Sequence, residues 1–112
     1  MKVFGDAVYF IALLSMRDRW HARAIAINRE RAGVLVTKLS KTGLRQQADV
    51  EIIQSTSDLF RRGTDFFSER RDKEWSLTDC ISFVVMNELA ITDTLTSDHH
   101  FEQAGFRILF KD

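Results

Sequence analysis

A chain of 112 residues has room for one domain and not for two, since independent domains usually run to about 100–150 residues. Apolar residues at 45% and charged residues at 29% form an ordinary globular balance that excludes intrinsic disorder, and the longest uncharged run, Ala7–Met16, falls short of the roughly 20 residues of a membrane span. The net charge of zero conceals a split: residues 1–48 carry nine basic against three acidic side chains (+6), and residues 49–112 carry seven against thirteen (−6). Such an asymmetry can build a basic surface beside an acidic, cation-attracting site, or it can be a drift of surface charge along the chain. With Cys80 the single cysteine no internal disulfide forms, and no secretory leader is visible, so a reducing cytoplasm fits best.

In the absence of proline, Gly and Ser/Thr/Asp punctuate the chain. Val3-Phe4 reads as a first strand, broken at Gly5-Asp6, and Ala7–Ser15 as a buried helix that packs all round. A second helix is expected over Arg17–Arg31, with Asp18 near its start and Gly33 just past its end. Val34–Val36 and Val50–Ile53 read as strands, with room between them for one short helix around Leu39–Gln47. Ser57 or Thr56 can cap a helix over Asp58–Arg70, whose apolar Leu59, Phe60, Phe66 and Phe67 recur at helical spacing. Ser76-Leu77-Thr78-Asp79 has capping-box spacing and opens a helix through Asn87, with Leu77, Ile81, Val84, Val85 and Met86 inward. Ile91–Thr96 is expected as a fourth strand, Asp98–Ala104 as a short helix and Phe106–Phe110 as a closing strand. Strands alternating with helices imply a parallel sheet covered on both faces, an α/β fold in a single domain spanning residues 1–112.

In an open parallel sheet the carboxyl ends of the strands share one edge, where ligands bind. Asp6 follows the first strand, Asp98 follows the fourth, and Asp79 lies in the first turn of the helix leading into the fourth. Three carboxylates delivered to one edge form an oxygen-rich cage of the kind Mg²⁺ or Mn²⁺ prefers. A cation there can activate water and stabilise charge on a phosphodiester, so the reaction class suggested is metal-assisted hydrolysis of a phosphate backbone. Each acid also has a structural role open to it: Asp6 in a turn, Asp79 in the capping box, Asp98 as a cap of the helix after it.

Three blocks carry a family resemblance. They are Val3-Phe4-Gly5-Asp6 with Tyr9–Leu14, Asp18, Trp20-His21 and Ala24; Asp72–Phe83 with Met86; and Leu95–Phe101 with Gln103–Phe106. Together they span most of the chain, and it resembles PIN-domain proteins of the VapC type, ribonuclease toxins of toxin–antitoxin pairs. The resemblance implies a three-layer α/β/α sandwich with a parallel sheet. It also implies an acidic cluster binding Mg²⁺ or Mn²⁺ to cut single-stranded RNA, a homodimer, and a cognate antitoxin whose tail enters the acidic cleft. By position it makes Asp6, Asp79 and Asp98 the metal ligands, with Thr96 supporting them by hydrogen bonding, while Asp93 is left at the surface.

The chain departs from the family pattern in three places. Ala7 stands where the family has Thr or Ser after the first acid, and the chain is short between residues 37 and 49. The family also places a Glu on the helix after the second strand, whereas no Asp or Glu occurs from Arg31 through Ala48. Asp49 and Glu51 belong with the third strand and substitute poorly. Loss of a carboxylate weakens cation binding, so the rival function is a catalytically degenerate PIN fold acting as a binding or dimerisation module.

Other residues invite other chemistry. Imidazole suits Zn²⁺ or Ni²⁺, but His99 and His100 as adjacent helical residues are expected to point about 100° apart and not to share an ion. Cys80 reads as a small buried residue rather than a nucleophile. Trp20 and Trp75 can stack on unpaired bases or pack in the core, the latter favoured for Trp75. Arg17, Arg19 and Arg23 are spaced to fall on related faces of one helix, either guiding RNA phosphates or simply meeting solvent.

Overall fold

The computed structural model describes residues 2–30, 34–37, 50–54 and 56–111. In chain order these form β1 (Lys2–Gly5), α1 (Ala7–Leu14), α2 (His21–Glu30), β2 (Val34–Thr37), β3 (Val50–Ile52), α3 (Ser57–Glu69), α4 (Leu77–Glu88), β4 (Asp93–Leu95), α5 (His99–Gln103) and β5 (Arg107–Ile108). The short helix expected around Leu39–Gln47, Gly33, and the acid-free stretch apart from β2 lie outside the described residues.

All the strands pair in parallel, in the order β3-β2-β1-β4-β5. Strand alternation sends neighbouring side chains to opposite faces. On β1, Phe4 joins a core with Val36, Leu59, Trp75, Phe83 and Phe101, while Val3 packs against a second core of Tyr9, Phe10, Ala12, Ala24, Leu95 and Phe110. Helices α1 and α2 therefore cover one face and α3, α4 and α5 the other, which is the expected three-layer sandwich. Phe83 is the hub of the first core, meeting Phe101 and Trp75 edge-on at 4.9 and 5.1 Å and Phe106 at 5.6 Å.

The helix ends follow local chemistry. Thr56 caps α3 by accepting from Leu59 N–H at 3.0 Å, and Ser76 and Asp79 form the full capping box of α4. Helices α4 and α5 both end in a Schellman motif. Ile91 N–H donates to Met86 C=O and Ala90 N–H to Asn87 C=O, and Phe106 and Gly105 repeat the pattern onto Phe101 and Glu102. Gly105 takes the left-handed conformation without strain at φ 97°, whereas Ala90 holds it at φ 54° with a side chain. These stops occupy Ile91 and Phe106, which explains why β4 and β5 start later than the expected Ile91–Thr96 and Phe106–Phe110; the strands also end earlier, at Leu95 and Ile108.

Three helical expectations need correction. Helix α2 starts at His21, not Arg17, because Asp18 builds a turn in which its carboxylate accepts from Trp20 N–H at 2.8 Å and its carbonyl from His21 N–H. Helix α1 is not enclosed: Ile11, Leu14 and Met16 beyond it are exposed, and among the described residues its main packing is on α2 and the sheet. On α3 the inward stripe is Leu59, Gly63 and Phe66, at helical spacing of four and three, which leaves Phe60 and Phe67 outward.

Gly63 is where α3 approaches α4. A Cβ there would overlap Ile81 Cγ1 and lie 3.4 Å from Ile81 Cα. Ile81 is β-branched on a helix and has one strongly preferred rotamer, so it gives way poorly. Gly63→Ala is expected to lower stability by about 1–2 kcal/mol, overpacking outweighing the ~1 kcal/mol gain in helix propensity. Urea unfolding followed by circular dichroism measures it, and a midpoint shifted upward would contradict the close approach.

Candidate functional site

The strand order reverses beside β1: the chain goes from β1 out to β2 and β3, then returns to lay β4 on the other side. The carboxyl ends of β1 and β4 therefore flank the switch point of the sheet, the usual place for a ligand crevice in such folds. Asp6 leaves the end of β1 and Thr96 and Asp98 the end of β4.

Thr96 is fully buried and serves both acids. Its hydroxyl donates to Asp6 Oδ2 at 3.1 Å and accepts from Asp98 N–H at 3.2 Å. Asp98 accepts from His100 N–H at 2.9 Å, and its Oδ1 lies 3.0 Å from His100 Nδ1. The same ring nitrogen is 3.6 Å from Asp79 Oδ2. Thr96 and His100 thus link the three sequence-predicted acids into one network, drawn from β1, β4, α4 and α5.

The alternative roles of these acids separate here. Asp79 does close the capping box, accepting from Ser76 N–H at 3.1 Å, and Asp98 does cap α5. Asp6 occupies the cap position of α1 yet makes no side-chain cap hydrogen bond with it. Its carboxylate is directed instead to Thr96, just past the end of β4 and 90 positions away. A local turn role does not explain that contact.

His100 is the member that sequence reasoning weighed and set aside. The ligating atoms of Asp98, His99 and His100 all lie within 4.8 Å of one another, and the two imidazole rings are 4.4 Å apart. The expected 100° divergence holds for Cβ directions, but helical side chains lean back toward the residue preceding the helix, and here both lean toward Asp98. The signal available in the sequence was a His pair directly following an acid at a strand end.

Other candidates fall outside this network. Arg17 and Arg19 lie in the turn before α2 and only Arg23 on the helix, so the three do not share one helical surface, although all are exposed. Trp20 stacks on Phe110 at 5.5 Å and takes the Arg19 guanidinium at 4.8 Å from its ring centre, while Trp75 is buried against Phe66 and Phe83. Both tryptophans are packing residues. Cys80 is fully buried, and burial first and the adjacent Asp79 carboxylate second push its thiol above the ordinary value, leaving it protonated and unreactive at neutral pH. Glu51 pairs with Lys2 at 3.2 Å and Asp93 with Arg107 at 3.1 Å. A cleft of about 380 Å³ between α3 and α4, rimmed by the Arg62–Glu88 ion pair, contains none of the predicted acids.

Among solved structures the chain matches VapC20 of Mycobacterium tuberculosis, described as a sarcin–ricin loop cleaving toxin, with a TM-score of 0.79 over 93% of this chain and 95% of that one. The fold is the PIN fold. The two sequences are 22% identical, and no family model and no curated protein sequence matches the chain. Within the PIN fold the Asp6, Asp79 and Asp98 network occupies the carboxyl edge of the sheet, and its two bridging side chains, Thr96 and His100, come from the β4–α5 segment.

Proposed function

We propose that the chain is a metal-dependent endoribonuclease of the VapC kind, the toxin of a toxin–antitoxin pair, hydrolysing RNA phosphodiesters at the Asp6, Asp79, Asp98 centre. The observation that carries this reading is the Asp6–Thr96 contact, which commits the first acid to the edge of the sheet rather than to its own helix. The donor set suits a hard dication, since three carboxylates offer the oxygen ligands that Mg²⁺ or Mn²⁺ takes. Asp6, Asp79 and Asp98 would hold it, and when bound it supplies an acidified water and offsets charge on the phosphodiester.

The chain's own residues set the geometry. Thr96 fixes the direction of the Asp6 carboxylate, the capping box fixes Asp79, and the first turn of α5 fixes Asp98. Arg17, Arg19 and Arg23 contact RNA phosphates in this reading, a contribution that weakens with salt. Exposed Ile11, Leu14 and Met16 after β1, and Phe60 and Phe67 on α3, offer apolar surface for an antitoxin and for a second copy in a homodimer. The protein works in the cytoplasm, and no helix among the described residues is long and apolar enough to cross a membrane.

Single-stranded RNA incubated with the chain is expected to be cut when Mg²⁺ or Mn²⁺ is present and to stay intact after chelation with EDTA. The rival reading, a degenerate fold used for binding or dimerisation, is favoured by the lack of any acid from Arg31 through Ala48. It calls for no cleavage and no Mn²⁺-dependent rise in melting temperature at millimolar cation, and that pair of results would reject the nuclease.

A further inference from the structure

Magnesium does not account for the two imidazoles at this edge. His99 and His100 place nitrogen donors beside Asp98, and every ligating atom of the trio lies within 4.8 Å of the others. Two donors bound to one tetrahedral ion at about 2.0–2.2 Å stand roughly 3.4 Å apart, so the 3.0 Å between His100 Nδ1 and Asp98 Oδ1 already fits a shared ion. The remaining atoms, up to 4.8 Å apart, would have to rotate inward to share that ion, and Asp79 Oδ2, 3.6 Å from the same nitrogen, can serve as a fourth donor. Asp79, Asp98 and His100 are each partly buried, so such an ion would lose part of its hydration to protein ligands.

We propose that Asp98, His99 and His100, with Asp79 alongside, form a site for a first-row transition-metal dication of the Zn²⁺ or Co²⁺ class, so that the centre selects such an ion over Mg²⁺. The reason is donor chemistry. Mg²⁺ takes oxygen ligands and keeps its water, whereas a mixed imidazole and carboxylate set suits Zn²⁺, Co²⁺ and Ni²⁺. The two nitrogens also compensate for the carboxylate that the acid-free stretch of residues 31–48 does not provide. The inference rests on the acidic centre proposed above being a cation site, and it concerns which ion that site takes.

The test is calorimetric titration of the tag-free full chain with Zn²⁺, and separately with Mg²⁺, together with the visible absorption of added Co²⁺. Zn²⁺ is expected to bind at least about tenfold more tightly than Mg²⁺, and Co²⁺ to give absorption bands of a low-coordinate nitrogen and oxygen site. His99→Gln and His100→Gln are each expected to weaken Zn²⁺ binding by about 10–100-fold and to change the Co²⁺ spectrum. His21→Gln, whose ring contacts Ala12 C=O in the α1–α2 layer, leaves both unchanged and controls for unspecific histidine binding. Circular dichroism melts of each variant separate lost ligation from lost folding. Equal Zn²⁺ affinity in the natural chain and both His variants, or Mg²⁺ binding as tight as Zn²⁺, would overturn the proposal. Mg²⁺-dependent RNA cleavage unaffected by the His variants sinks this inference and spares the nuclease. Histidine-dependent Zn²⁺ binding in a chain that cuts no RNA does the reverse.

Discussion

Asp6→Asn is expected to slow cation-dependent RNA cleavage at least about 100-fold while leaving the folded chain as stable as before. The substitution is isosteric, and the Thr96 hydroxyl can donate to an amide oxygen as it does to Asp6 Oδ2. No cap hydrogen bond to α1 is lost, because Asp6 makes none. The substitution removes one negative charge and one anionic ligand. Stability without cation should therefore stay within about 1 kcal/mol or rise slightly, as repulsion among the carboxylates is relieved. The rise in melting temperature produced by Mn²⁺ should shrink or vanish. Asp79→Asn is a less clean probe, since Asp79 also accepts from Ser76 N–H in the capping box and its negative charge sits in the first turn of α4, where losing it costs helix stability. An Asp6→Asn chain that cuts RNA at the natural rate would remove Asp6 from the centre, and with it the assignment of cleavage to these three acids.

Phe83→Ala carries the largest expected cost in stability, about 3–5 kcal/mol, against the 5–15 kcal/mol typical of a whole domain. The ring is completely buried and meets Trp75, Phe101, Phe106 and Phe66. Truncation loses the transfer energy of the ring, leaves a cavity among stiff aromatic neighbours, and removes edge-to-face pairs worth about 0.5–1.5 kcal/mol each. Phe83→Leu keeps most of the volume and should cost appreciably less, though more than a swap at an exposed position. Phe83 lies one turn after Asp79 on α4 and packs on Phe101 of α5, two positions beyond His99. Loosening it disturbs two of the three acids, so cleavage should fall even under conditions where the variant remains folded. Urea midpoints for the three chains check the ranking, and equal midpoints for Phe83→Ala and the natural chain would refute it.

Much of this architecture could be read from the residues because local and global signals agree. The capping box at Ser76 and Asp79, the Thr56 cap and the apolar strands each point to the element they form. Failures occur where a local device overrides periodicity. Asp18 turns the chain for three residues and delays α2, and the Schellman motifs at Ala90 and Gly105 shorten the strands that follow. On α3 the apolar pairs Leu59-Phe60 and Phe66-Phe67 each supply one inward and one outward residue, and only the close packing on Gly63 reveals which. At the site, Asp6 and Asp98 follow strand ends and Asp79 closes a capping box, and both kinds of position leave a pattern in the sequence. His100 was not legible, because its place between Asp79 and Asp98 depends on how α4 docks against α5, a contact between segments with no signature in either.

The sheet order has a consequence for timing. Asp6 is made early and the hydroxyl that orients it comes 90 positions later, yet the two must meet. Ribosomes add roughly 5–20 residues per second, so a nascent chain spends several seconds with its first strand exposed and the centre incomplete. Among the described strands, joining β1 to β4 also closes the longest loop of any pairing, a step whose entropy is spent before the contact repays it. In the proposed nuclease the three acids are thus brought together only after the segment carrying β4 has emerged and docked.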